Sequence, residues 1–177
     1  EVAAFWHPRK CASIKTYEYR ILNETFPNPL ERLYAHFTYY PLDVALMQEG
    51  GAFLVGEHDF RSFCSVHTQA ESTVRKVTAL EIRRVGNLLT LRVSGNGFLY
   101  NMVRIIAGTL MEVGRGKYPP EKIAQILAGC DRKLAGPTAP ARGLTLISYR
   151  FKEEIPDSEN NEKTIDTDGG ITYNNKT

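Results

Sequence analysis

The stretch Asn87-Leu88-Leu89-Thr90-Leu91-Arg92-Val93-Ser94-Gly95-Asn96-Gly97-Phe98-Leu99-Tyr100-Asn101-Met102-Val103-Arg104-Ile105-Ile106-Ala107-Gly108-Thr109-Leu110-Met111 decides the fold class. Its first third alternates, with Leu89, Leu91 and Val93 on one side, which is the period of a half-buried strand. Ser94 to Gly97 then breaks the chain sharply, and Asn96 is the expected helix cap. From Phe98 onward the chain is apolar nearly all round, the pattern of a buried helix. A strand feeding directly into a buried helix places both element types in one core.

Arg104 is the single charge in that helix. A guanidinium keeps its charge at any physiological pH. Burying it among apolar side chains is costly unless an anion lies nearby. At helical spacing Arg104 shares a face with Asn101, Ala107, Gly108 and Met111. Small residues there leave room for an approaching group, and a carboxylate or phosphate is the natural candidate. The alternative is a stem laid along the surface with its head in water. The apolar character all round the helix favours burial.

Upstream of the strand, residues 74–84 alternate over part of their length, and Gly86-Asn87 between the two runs predicts a hairpin. The helix should end near Gly114-Arg115-Gly116. Pro119-Pro120 opens a second helix through Ile123, Ile126 and Leu127. Residues 135–143 are rich in glycine, proline and small residues and form a shaped loop, followed by a last strand over residues 144–151. Towards the N-terminus, residues 15–22 predict a strand and residues 23–29 a loop. Residues 33–40 form an aromatic segment for which ordinary core packing is expected. Pro41-Leu42-Asp43 starts a further helix, and residues 56–63 look loop-like. The expected class is α+β, with a mainly antiparallel sheet flanked by helices. One domain covers residues 1–152, and the polar, period-free segment 153–177 is expected to be disordered.

The chain has 177 residues, 42% of them hydrophobic and 24% charged, an ordinary composition for one globular domain. No apolar run is long and pure enough to cross a bilayer, because Arg104 interrupts the best one. Three cysteines, Cys11, Cys64 and Cys130, lie far apart, which suits a reducing interior and no disulfide framework. Cys64 and His67 are not followed by a second pair, so no metal site is expected. The net charge of +2 hides an asymmetry. From Glu153 onward seven acidic residues and two lysines give −5, which leaves 20 basic and 13 acidic residues, or +7, ahead of it. A basic body suits a polyanion such as nucleic acid, although a soluble surface accounts for it nearly as well.

Four segments in order carry a family resemblance. These are His7-Pro8-Arg9-Lys10-Cys11-Ala12-Ser13-Ile14-Lys15-Thr16-Tyr17-Glu18-Tyr19, Glu57-His58-Asp59-Phe60-Arg61-Ser62-Phe63, residues 97–110, and residues 135–146 with Arg142-Gly143-Leu144. Together they resemble the tRNA pseudouridine synthase A family over residues 7–151. The resemblance implies isomerisation of uridine to pseudouridine in tRNA, in the anticodon stem-loop, without a cofactor. It implies that Tyr17 stacks on the flipped-out base and helps move a proton. It implies that Arg104 pairs with the catalytic aspartate, and that Leu144 packs against the target base. Arg9 and Lys15 match basic positions near the site, with contacts to phosphate.

The resemblance also implies a departure. The family's nucleophile is an aspartate in a Gly-Arg-Thr-Asp-type motif upstream of the His7 segment, and no such motif occurs here. Asp43, Asp59 and Asp131, the aspartates ahead of the tail, do not match it. The expectation is a C-terminal portion of such an enzyme, a truncated or partial gene product, inactive alone and with one sheet edge exposed. Homodimerisation and an intracellular site of action are implied by the family, with the compartment open. Two other readings remain beside this one: a non-catalytic RNA-binding module and a dimerisation fragment.

Overall fold

The structure, a computed structural model, describes residues 12–65, 68 and 70–151. Arg9, Cys11, His67 and the segment 153–177 lie outside the described residues. Six strands form one sheet: β1 (Ser13–Asn23), β2 (His36–Thr38), β3 (Gly56–Asp59), β4 (Val74–Val85), β5 (Leu88–Gly95) and β6 (Leu144–Phe151). The helices are α1 (Val44–Ala52), α2 (Met102–Gly114) and α3 (Lys122–Gly129). The spatial order is β2-β1-β5-β4-β3, and β6 also pairs with β1. All pairings are antiparallel except that of β1 with β2. The α+β class expected from the sequence is the observed one.

Alternation sorts the sheet into two faces. Tyr19, Ile21, Leu89, Leu91 and Val93 are completely buried under the helices. The other face is polar: Arg92 donates to the Glu18 carboxylate at 2.7 Å, and Thr16 and Ser94 hydroxyls lie 2.8 Å apart. The hairpin turn is Gly86-Asn87, and only Gly86 has a positive φ, +57°. A two-residue turn with glycine first meets that requirement, so the order Gly-Asn closes this hairpin.

Asp43 caps α1, its carboxylate accepting from the amides of Ala45 and Leu46 at 2.8 and 3.1 Å. Helix α2 supplies most of the core, with Met102, Ile105, Ile106, Ala107, Leu110 and Val113 completely buried. Among the described residues, no helix is long and apolar enough to cross a membrane.

Three local expectations need correction. Residues 56–63 are not a loop: β3 pairs with β4 there, and a 3-10 turn follows at Arg61–Phe63. Short polar strands give too few residues for alternation to register. Asn96 does not cap α2. Its side chain instead accepts from the Lys76 amide at 3.0 Å, and Asn101 precedes the helix. The aromatic segment is not core either. Leu33, Tyr34 and Tyr39 are 58%, 63% and 59% exposed. Only Ala35 in that run is buried, because β2 covers just three residues of the β1 edge.

Candidate active site

The closing loop seats its backbone on α2. Thr109 Oγ1 accepts from the Gly136 amide at 3.0 Å and donates to the Ile105 carbonyl at 2.7 Å. A Cβ added at Gly108 would lie 1.8 Å from the Pro137 carbonyl oxygen. The small face of the helix is therefore filled by loop backbone and not by an anion. This corrects the expected use of Gly108, since what approaches there is the chain itself.

Arg104 sits at the edge of that contact, half-buried. Its Nε donates to the Ala139 carbonyl at 2.6 Å and its Nη1 to Asn101 Oδ1 at 2.9 Å. Both acceptors are neutral. Among the described residues no carboxylate forms an ion pair with Arg104. The guanidinium carries five N–H donors, so three remain for another group.

Further bonds pin the same loop. Arg132 donates to the carbonyls of Ala135 and Gly136 at 3.4 and 3.0 Å and to Thr138 Oγ1 at 3.0 Å. The hydroxyl of fully buried Tyr19 donates to the Pro140 carbonyl at 2.7 Å. Burial pushes that phenol well above the ordinary tyrosine range, and nearby Arg104 and Arg142 oppose the shift only in part. It therefore remains a hydrogen-bond donor. Sequence reading missed Arg132 and Tyr19, because their partners are backbone atoms that no motif encodes.

A cavity of about 330 Å³ opens beside Arg104. Tyr17, Phe98, Tyr100, Asn101, Arg104 and Leu144 are among the residues that line it. Three of the expected site residues, Tyr17, Arg104 and Leu144, thus meet in one place although they are far apart in sequence. The Tyr17 ring meets the Phe98 ring edge to face, with centroids 5.3 Å apart. Burial, and then the neighbouring Tyr149, raise the Tyr17 phenol above its usual value. Near neutrality it is a neutral group able to donate a hydrogen bond. Leu144 opens β6 opposite Tyr19, and Leu146 pairs with Tyr17 across a register shift.

Lys15 does not line the cavity; its ammonium lies 4.9 Å from the centre of the Tyr149 ring. Arg9 lies outside the described residues. A second, more open cavity of about 470 Å³ lies between Asn23, Glu24, Phe26, Tyr39 and Asn87. It holds none of the expected site residues, and its one carboxylate, Glu24, accepts from Asn87 Nδ2 at 2.6 Å. The expected site residues that the structure brings together line the smaller cavity.

Comparison with known proteins identifies the family. A family model described as tRNA pseudouridine synthase matches residues 52–152, more than half of the chain. A tRNA pseudouridine synthase A of Brevibacillus brevis is 49% identical over 146 residues, 82% of this chain and 60% of that protein. Its counterpart from Halalkalibacterium halodurans is 44% identical over 164 residues, 93% of this chain and 62% of that protein. That of Bacillus subtilis is 43% identical over 146 residues, covering 82% and 59%. The chain thus spans about 60% of the length of the curated relatives it matches. By the family match, and with the motif residues gathered around one cavity, the chain belongs to the tRNA pseudouridine synthase family.

Proposed function

We propose that these residues form the arginine-bearing half of a site that isomerises uridine to pseudouridine in tRNA, with the attacking carboxylate supplied from outside this chain. One observation carries the reading. Arg104 is held by two neutral acceptors at the wall of a cavity it shares with Tyr17 and Leu144, without an acidic partner among the described residues. A planar guanidinium can grip a carboxylate through two parallel hydrogen bonds, which fixes both its charge and its direction. In this role Arg104 keeps the nucleophile ionised and aimed. Tyr17 offers a ring face to the extruded base and a hydroxyl for proton traffic, and Leu144 packs against the base. Extrusion costs a few kcal/mol, which stacking offsets in part. The basic body, with the Lys15 side of β1 and Arg9 ahead of it, attracts the phosphate backbone.

The partner is tRNA, and the reaction takes place inside the cell, where tRNA is made. A homodimer is the proposed assembly. The exposed Phe26, Leu30 and Tyr34, at 77%, 85% and 63%, support it as large apolar side chains left in solvent within one loop segment. Sedimentation of the chain at several concentrations tests that assembly.

Tritium release from tRNA labelled at uridine C5 tests the reaction. The 177-residue chain alone should release none. Release should appear once an N-terminal portion carrying the family's aspartate is supplied. Release by the chain alone would refute the outside nucleophile, and none from the combined halves would refute the reaction.

A further inference from the structure

Asn101 stands immediately before α2 with φ +62°. Left-handed backbone costs an L-residue energy, although asparagine tolerates it better than most. An asparagine at this position usually caps the helix by accepting from first-turn amides. Asn101 makes no such bond. Its Oδ1 instead accepts from Arg104 Nη1 at 2.9 Å, and its Nδ2 donates to Ser65 Oγ at 2.9 Å. The direction of the amide is settled by chemistry, since a guanidinium has donors only and must face the oxygen. Ser65 is anchored in turn, its amide donating to the Tyr100 carbonyl at 3.2 Å.

The Ala139 carbonyl holds Arg104 at Nε, a single point about which the planar group can still turn. A second contact at Nη1 fixes the plane. We propose that Asn101, backed by Ser65, is a positioning residue that locks rotation of the Arg104 guanidinium and so aims its remaining N–H groups into the cavity. This rests on the reading of Arg104 as the anion-holding residue. Asn101 itself acts through Arg104 and not on the substrate.

Asn101→Gly separates aiming from folding. Glycine accepts the left-handed conformation freely, which offsets in part the two side-chain hydrogen bonds that are lost, and the acceptor for Nη1 is gone. The experiment follows rotation about the Arg104 Nε–Cζ bond by 15Nη line shapes in the arginine-labelled 177-residue chain, assigned by the signal lost in Arg104→Lys. In Asn101→Gly the rotation should quicken by about fivefold or more, the loss of roughly one hydrogen bond, in a chain whose circular dichroism remains that of the folded parent. Asn101→Asp keeps an acceptor oxygen and should restore slow rotation. Rotation in Asn101→Gly as slow as in the parent overturns the proposal. So does fast rotation in Asn101→Asp. None of these readouts involves tRNA, so a failed tritium-release assay would sink the proposed reaction and leave the rotation result standing.

Discussion

Ala139 and Arg104 are joined by two hydrogen bonds running in opposite directions. The Ala139 amide donates to the Arg104 carbonyl at 3.1 Å, and Arg104 Nε donates to the Ala139 carbonyl at 2.6 Å. The first contact uses a backbone acceptor and the second a side-chain donor, so one loop residue registers both the helix and its cation. Displacing the loop therefore moves the guanidinium, and the stability of this seat and the chemistry of the cavity become linked.

Gly108 is where that link is most exposed to substitution. Alanine is preferred over glycine in helices by about 1 kcal/mol. At this position, however, its methyl would sit 1.8 Å from a carbonyl oxygen of a loop pinned by Arg132, Thr109 and Tyr19. Overpacking of this kind costs about 1–3 kcal/mol beyond the propensity gain. Gly108→Ala should lower Tm by roughly 3–10 °C in a thermal melt, and an unchanged Tm would show that the loop yields freely.

Arg104→Lys keeps the charge and loses the fork. An ammonium cannot reach Ala139 and Asn101 together while presenting parallel donors to a third group. In the complete enzyme kcat should fall by about a hundredfold or more, the scale for losing one preorganised charge-stabilising group. KM for tRNA should change far less. A raised KM with kcat unchanged would point to a binding role instead.

Tyr17→Phe removes only a hydroxyl and leaves the ring packed edge to face on Phe98. Affinity for tRNA should stay within about twofold, because stacking depends on the ring. Turnover should drop if the hydroxyl moves a proton. A variant with parental turnover would confine Tyr17 to stacking.

His36 predicts a pH dependence of stability. Its imidazole is held below the usual histidine value, first by burial and then by the nearby Arg142 charge. Its Nδ1 is buried without a partner among the described residues. The folded state therefore binds a proton less readily than the unfolded chain. The contribution is complete above about pH 6.5 and is lost as pH falls from there towards the lower native value. Urea midpoints measured between pH 7 and 5 should fall for the parent, and His36→Gln should lose that part of the slope.

Much of the fold can be read from local pattern. The alternation of Leu89, Leu91 and Val93, the Gly86 turn and the apolar run after Met102 appear in the structure as the strand, hairpin and buried helix they imply. These features persist because periodicity of apolar residues is a property of neighbouring positions. β3 was not legible: its four residues are polar, and they become a strand only by pairing with β4. The aromatic segment misled for the opposite reason. Its composition promises burial, but among the described residues no element lies over Leu33, Tyr34 and Tyr39, which remain in solvent.

The sequence alone determined the long strands and helices, the family motifs and the identity of the one cation in the apolar helix. Tertiary packing alone decided that backbone of the closing loop fills the small face at Gly108. It also turned Asn101 into the left-handed conformation that serves Arg104, and gathered Tyr17, Arg104 and Leu144 around one cavity. The physical reason is range. Hydrophobic period and turn chemistry act over a few residues, whereas a hydrogen bond from Arg104 to a carbonyl 35 positions away exists only once the intervening chain has packed.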